Sequence, residues 1–223
     1  MSLGNKRGIF PWYTFFSKDA GKTKEFFTKL FNWKTVEFEI PDYGKTTLFE
    51  HNGMQFADIT PTEKMNIPNA STMPSQWVNY VAVDSVEDTC KKVTQFGGKV
   101  VQEPFDMPSI GRSATVTDPF GAMFMPFTPA DPTKTESAMK QEPGFPCWNE
   151  LMVSDPKKAA DFYGEVLGWS FNTQDMGDMG TYYHFKANEN EKDEHGMGGI
   201  MKTPPQAAGM PAAWMVYLMT ENI

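Results

Sequence analysis

Six tryptophans set a register that few folds satisfy. Trp12, Trp77, Trp148 and Trp214 stand 65, 71 and 66 residues apart, and Trp33 and Trp169 are separated by 136, as are Trp12 and Trp148. A recurring spacing of this kind is the mark of repeated supersecondary units. The neighbours keep the same step. Phe10-Pro11-Trp12-Tyr13 answers Phe145-Pro146-Cys147-Trp148 with one residue of slippage, and Asp19, Asp84, Asp155 and Glu221 each follow a tryptophan by seven.

Within a unit the pattern changes from strand to helix and back. An apolar run such as Val78-Asn79-Tyr80-Val81-Ala82-Val83 reads as a strand. The acid after it reads as an N-cap, whose carboxylate accepts the free amides of the first helical turn. Asp84-Ser85-Val86-Glu87 has capping-box spacing, and Asp155-Pro156 places proline at the first helical position. Phe26, Phe27, Leu30 and Phe31 in unit one, and Phe162, Tyr163, Val166 and Leu167 in unit three, repeat as the apolar stripe of a helix. Unit two runs through Val86, Cys90 and Val93 to Phe96, and Gly97, Gly98 and Gly168 end the helices. Short extended runs over 34–38, 46–50 and 55–60 complete unit one. The predicted unit is βαβββ and the fold class α+β, with tandem modules forming curved sheets and helices outside.

Proline-rich connectors separate the units, and the one containing Asp131-Pro132-Thr133-Lys134 is the best boundary. The predicted division is a first domain over 1–128 with modules at 10–60 and 76–127, a linker over 129–144, and a second domain over 145–223 with one module at 145–203. A fourth module begins at Trp214 and stops at Ile223 about where its helix should start. Open sheet edges are a liability, so the expectation is either a truncated chain or strands supplied by a partner, as in a homodimer.

Charge and composition remove several function classes. A formal charge of -8 gives no electrostatic footprint for nucleic acid or anionic lipid. No apolar run reaches the roughly 18 residues a membrane helix needs, and no signal segment opens the chain. A cytoplasmic location is expected, in keeping with only two cysteines, Cys90 and Cys147, for which one bridge stays open as an alternative. The three histidines show no helical pair spacing, and GxGxxG, GxxxxGK[ST] and GxSxG are absent, so no cofactor is expected.

Tandem βαβββ units with these motifs resemble the vicinal oxygen chelate superfamily, the glyoxalase, bleomycin-resistance and extradiol-dioxygenase group. Ala160-Asp161-Phe162-Tyr163-Gly164-Glu165-Val166-Leu167-Gly168-Trp169 is similar to its helix motif, and Gly111-Arg112 followed by Asp118-Pro119-Phe120-Gly121 to its last hairpin. The resemblance covers nearly the whole chain and lies closest to a branch with two such domains in one polypeptide. It implies paired modules curled into cups, with metal ligands on the first and last strands. Here the first-strand ligand positions are Trp12, Trp77, Trp148 and Trp214, and indole cannot bind a divalent ion. The last-strand position in unit two is Met125, a soft thioether, and Gln55-Phe56-Ala57-Asp58 and Gly198-Gly199-Ile200-Met201 give no ligand set. No metal is therefore expected.

The functional expectation is a metal-independent protein holding a small, partly apolar or aromatic molecule in a cup lined by the four tryptophans. The competing expectation fills the cup with those rings as core. Strand periodicity adds Thr14, Asn79, Glu150 and Val216 to the same face, three of them polar, which favours a lined pocket. Met125 and Arg112 complete the predicted ligand-binding set, Arg112 by steering an anionic ligand from a hairpin mouth. Glu150 is the predicted catalytic residue, a base for an alternative lyase, isomerase or dioxygenase activity. His184 falls on a strand near that cup, while His51 and His195 fall in turns. The acidic run over 188–194 lacks EF-hand spacing for a cation.

Overall fold

In a computed structural model, residues 2–40, 44–187 and 196–222 are described; the acidic run over 188–194, His195 and Ile223 lie outside them. Unit one supplies β1 (Trp12–Ser17), α1 (Ala20–Phe31), β2 (Lys34–Ile40), β3 (Gly44–His51) and β4 (Met54–Pro61). Unit two supplies β5 (Gln76–Ala82), α2 (Val86–Gln95), β6 (Lys99–Met107), β7 (Gly111–Thr117) and β8 (Met123–Pro129). Unit three supplies β9 (Pro146–Val153), α3 (Pro156–Leu167), β10 (Ser170–Asp175), β11 (Thr181–Lys186) and β12 (Gly198–Lys202), and β13 (Trp214–Leu218) opens the fourth. The fold is α+β, as predicted.

Units one and two share one eight-stranded sheet in the order β2-β3-β4-β1-β5-β8-β7-β6, joined where β1 runs antiparallel to β5. Unit three and β13 form a five-stranded sheet, β10-β11-β12-β9-β13, joined by the corresponding antiparallel pair β9 and β13. Unit one therefore pairs with unit two.

The caps follow the sequence with one correction. Asp19 and Asp155 accept the amides of Lys22 and Lys158 at 3.0 Å each, but α2 is capped by Ser85, which accepts from the amide of Asp88. Asp84 instead accepts the amide of Leu3 at 2.6 Å. Among the apolar stripes, that of α3 is wholly buried, because Phe162 and Tyr163 meet Phe124 of the first sheet. α1 lies at the flank, where Phe27 is buried while Phe26 and Leu30 are each 58% exposed. Both cysteines are free, and among the described residues no helix is long and apolar enough to cross a membrane.

The halves share one apolar core, and two tryptophans close it reciprocally. Trp33 donates its indole N–H to the carbonyl of Gly144, just before β9, at 2.8 Å. Trp169 donates to the carbonyl of Gly8, just before β1, at 2.9 Å. The approach is close enough that a Cβ on Gly8 would meet Trp169 Nε1 at 2.9 Å, and Gly8 also holds a positive φ of 84°. Trp169→Phe keeps a ring in the stack against Phe185 but strands the buried Gly8 carbonyl, and should destabilise the fold by about 1–3 kcal/mol. Urea unfolding checks this: the midpoint should fall at constant slope, and an unchanged midpoint would show that the bond contributes nothing.

Candidate functional site

Successive side chains on a strand alternate faces, so the cross-strand register decides which residues of the paired first strands share a side. On β1 and β5 the cross-strand pairs Trp12/Tyr80 and Thr14/Val78 look to the open face, while Phe15/Trp77 and Tyr13/Asn79 look toward the helices. Trp77 therefore lies under α1, with ring centroids 5.0 Å from Phe15 and 5.3 Å from Phe27. The same division holds on the second sheet. Trp148 and Glu150 share the open face with Tyr217 and Met215, whereas Trp214, opposite Leu151, is buried and donates to Tyr163 Oη at 3.0 Å. The expectation of four cup-lining tryptophans is thus corrected: two face open sides and two are core.

Asn79 and Val216 follow their tryptophans inward. Asn79 is fully buried and donates to Asn149 Oδ1 at 3.1 Å, and Asn149 donates to Tyr13 Oη at 3.1 Å, forming a polar seam between the sheets. Arg112 is corrected as well: it pairs with Glu87 of α2 and with Asp106 Oδ1 at 2.7 Å, on the helix side of the sheet. His51 Nε2 lies 3.1 Å from the carbonyl of Pro143, and His184 Nε2 lies 3.0 Å from Gln174 Oε1.

The open face of the first sheet encloses a cavity of about 720 Å³. Trp12, Phe16, Tyr80, Phe105, Met125 and Phe127 make it largely apolar, with Asp58 at the floor. Of the predicted residues, Trp12, Thr14 and Met125 meet here. Asp58 was not foreseen. It is 8% exposed and accepts from Trp12 Nε1 at 2.7 Å, Thr14 Oγ1 at 2.9 Å and Thr60 Oγ1 at 2.8 Å. Burial raises its carboxyl above the ordinary range, and the hydrogen bonds from Trp12, Thr60 and Thr14 counter that rise only in part. The one sequence signal was alternation: Asp58 and Thr60 alternate with the buried Ala57 and Ile59, but the partner across the sheet, Thr14, is far away in sequence.

Fold, repeat and cup now stand together, and the match to known proteins decides the family. Residues 9–125 match the model described as Glyoxalase/Bleomycin resistance protein/Dioxygenase superfamily, and residues 147–180 that of a Bleomycin resistance protein-like N-terminal region. The chain belongs to the glyoxalase/bleomycin resistance protein/dioxygenase superfamily. CFP32 of Mycobacterium tuberculosis (strain CDC 1551 / Oshkosh), named as a candidate glyoxylase, is 31% identical over 222 residues, covering 97% of this chain and 79% of that one. The anthracycline biosynthesis protein DnrV of Streptomyces peucetius is 30% identical over 169 residues, covering 72% of this chain and 61% of that one. Among solved structures, the Mn(II)-bound glyoxalase from Novosphingobium aromaticivorans overlays with a TM-score of 0.59 at 17% identity, over 89% of this chain and 63% of that one. The 2,2',3-trihydroxybiphenyl 1,2-dioxygenase from Sphingomonas wittichii strain RW1 gives 0.58 at 12%, over 88% and 68%. These likenesses show the fold.

The donor set of this superfamily member's cup does not suit a divalent ion. Asp58 pairs across the sheet with Thr14, and Met125 with Tyr80, so the two last-strand positions offer one carboxylate and one thioether. The first strands add an indole, a threonine and a phenol. Hard divalent ions need several oxygen or imidazole donors, and Asp58, the carboxylate at the floor, already accepts three hydrogen bonds. Among the described residues, no three His, Cys, Asp or Glu side chains are grouped to hold a metal.

A raised folded carboxyl binds its proton more tightly than the unfolded one. Its stabilising contribution is therefore complete below the unfolded pKa of about 3.9 and is lost as pH rises through the folded value. Asp58→Asn removes that dependence. Urea unfolding of both proteins between pH 3 and 8 should show the wild type losing stability relative to the variant as pH rises; a constant or opposite difference would contradict the assignment.

Proposed function

We propose that the cup of the first domain, residues 1–128, binds a small, flat, partly apolar molecule that donates one hydrogen bond to Asp58, and that it does so without a metal. One observation carries the reading. An ionised carboxylate has about four acceptor positions, and the three donors on Asp58 leave one, on Oδ1, at the floor of a largely apolar cavity whose lining also includes Lys45, Lys64, Lys134, Asp131 and Glu136. A phenol or enol hydroxyl fills that position, and the rings of Trp12, Phe105 and Phe127 supply the apolar walls. Sequestration in this manner is a role the superfamily resemblance implies, and a cytoplasmic protein with two free thiols fits it.

A second reading rests on the raised carboxyl of Asp58: facing a cavity, it has the character of a general base, able to take a proton next to a carbonyl in an isomerase or lyase reaction. The base in that reading is Asp58 rather than Glu150, which lies on the other sheet. Hydrogen–deuterium exchange of the α-protons of small ketones, abolished by Asp58→Asn, is its signature.

The binding reading is tested with 1-naphthol against naphthalene. Naphthol should quench Trp12 emission saturably, the quenching should disappear in Trp12→Phe, and Asp58→Asn should weaken binding by about tenfold or more, the worth of a hydrogen bond to a charged group. Equal affinity for naphthalene, or indifference to both substitutions, would overturn it.

A further inference from the structure

We propose that the open face of the second sheet carries a separate site for an organic ammonium ion, in which Glu150 supplies the countercharge and Trp148, Tyr182 and Tyr217 supply the aromatic walls. The site is independent of the first-cup reading.

Glu150 stands opposite Gly199 on β12 as Thr14 stands opposite Asp58 on β4, so the acid has moved from the last strand of the unit to the first. Glycine at 199 is part of the construction. A Cβ there would come within 2.0 Å of the Tyr182 ring and hydroxyl, so the phenol crosses β12 through space that any larger residue would fill. Tyr182 Oη thereby reaches Glu150 Oε2 at 3.0 Å, Tyr217 Oη reaches Oε1 at 3.0 Å, and Trp148 Nε1 donates to Tyr182 Oη at 3.0 Å. Both sheets thus place an indole, a hydroxyl and a carboxylate in one network on the open face, assembled from non-equivalent positions.

The two networks favour different ligands. Asp58 is sunk in a cavity, whereas Met215 and Tyr217 beside Glu150 are 36% and 44% exposed. Among the described residues no ion pair includes Glu150, so its charge has no fixed partner. Its two neighbours stay neutral phenols: burial and the adjoining Glu150 push Tyr182 well up and Tyr217 up to about 12. The Glu150 carboxyl thus stands beside the exposed Tyr217 and the half-buried Trp148, above a buried Tyr182, with His184 packed on Trp148 and Tyr182 at 5.9 and 4.7 Å between centroids. A neutral aromatic gains nothing from that charge, and a small metal ion would need more oxygen ligands than one carboxylate. A weakly hydrated alkylammonium gains from both the charge and the rings.

The probes are choline and its uncharged isostere 3,3-dimethylbutan-1-ol, titrated into the full chain and followed by NMR on the backbone amides of β9 and β13. Choline should produce a saturable shift and bind at least about tenfold more tightly than the isostere. Glu150→Gln and, as a variant that removes a ring without touching the acid, Trp148→Leu should each weaken choline by a similar factor, while Asp58→Asn leaves it unchanged. A missing or unsaturable shift, equal affinity for the isostere, or indifference to both Glu150→Gln and Trp148→Leu would overturn the proposal. Loss of choline binding in Asp58→Asn would overturn it too, by placing the cation in the first cup.

Discussion

The reciprocal bonds from Trp33 to Gly144 and from Trp169 to Gly8 govern how the two sheets meet. Each indole belongs to one half and each carbonyl to the segment leading into the first strand of the other. Because those strands, β1 and β9, are also where each sheet joins its two units, a fixed entry angle fixes the seam. Buried next to it lies the Asn79–Asn149–Tyr13 chain of hydrogen bonds, which tolerates little sliding because every link spans the two sheets or their joining strands. A second polar link, Trp214 to Tyr163 to Asp118, ties β13 through α3 to the Asp-Pro-Phe-Gly turn of unit two. With much of the helix-side surface committed to this shared core, the cavity of about 720 Å³ lies on the open face of the first sheet.

Which residues reach those faces is decided by the pairing register. A strand with a period of two turns a one-residue difference in register into a change of side. Trp12, opposite Tyr80, and Trp148, opposite Tyr217, face the open sides, whereas Trp77, opposite Phe15, and Trp214, opposite Leu151, pack toward the helices. The consequence is an asymmetric pair of open faces. One holds its acid on the last strand of unit one, deep in a cavity; the other holds its acid on the first strand of unit three, among tyrosines. Identity of fold has not imposed identity of chemistry on the two halves.

Much of the fold was legible because its signals are local. The caps at Asp19 and Asp155, the proline opening α3 and the left-handed Gly97 and Gly168 are read from a few adjacent residues. Misplacing the α2 cap by one residue shows the limit of such reading: Asp84 and Ser85 are both good caps, and Leu3, distant in sequence, claimed Asp84. The site was less legible because it depends on pairing between strands. Asp58 was set aside within Gln55-Phe56-Ala57-Asp58 because unit one closes with Asn52-Gly53 rather than an Asp-Pro-x-Gly turn, so no fixed offset singled it out. Thr14, Thr60 and Trp12 give Asp58 its meaning only once β1 and β4 lie side by side. Exposure of Phe26 and Leu30 on α1 has the same origin, since their pattern matches that of α3 and only tertiary placement separates them.

Superfamily membership sets an expectation of metal ligands that this chain's open faces do not meet. In the first cup the indole of Trp12 and the hydroxyls of Thr14 and Thr60 occupy the carboxylate that a metal would require. The proposed function has hydrogen bonds to Asp58, and no ion, organising that cup. Elemental analysis of untagged protein purified without added metal is the decisive experiment. Metal well below one equivalent per chain is expected; stoichiometric Mn, Fe, Ni or Zn would overturn the proposal.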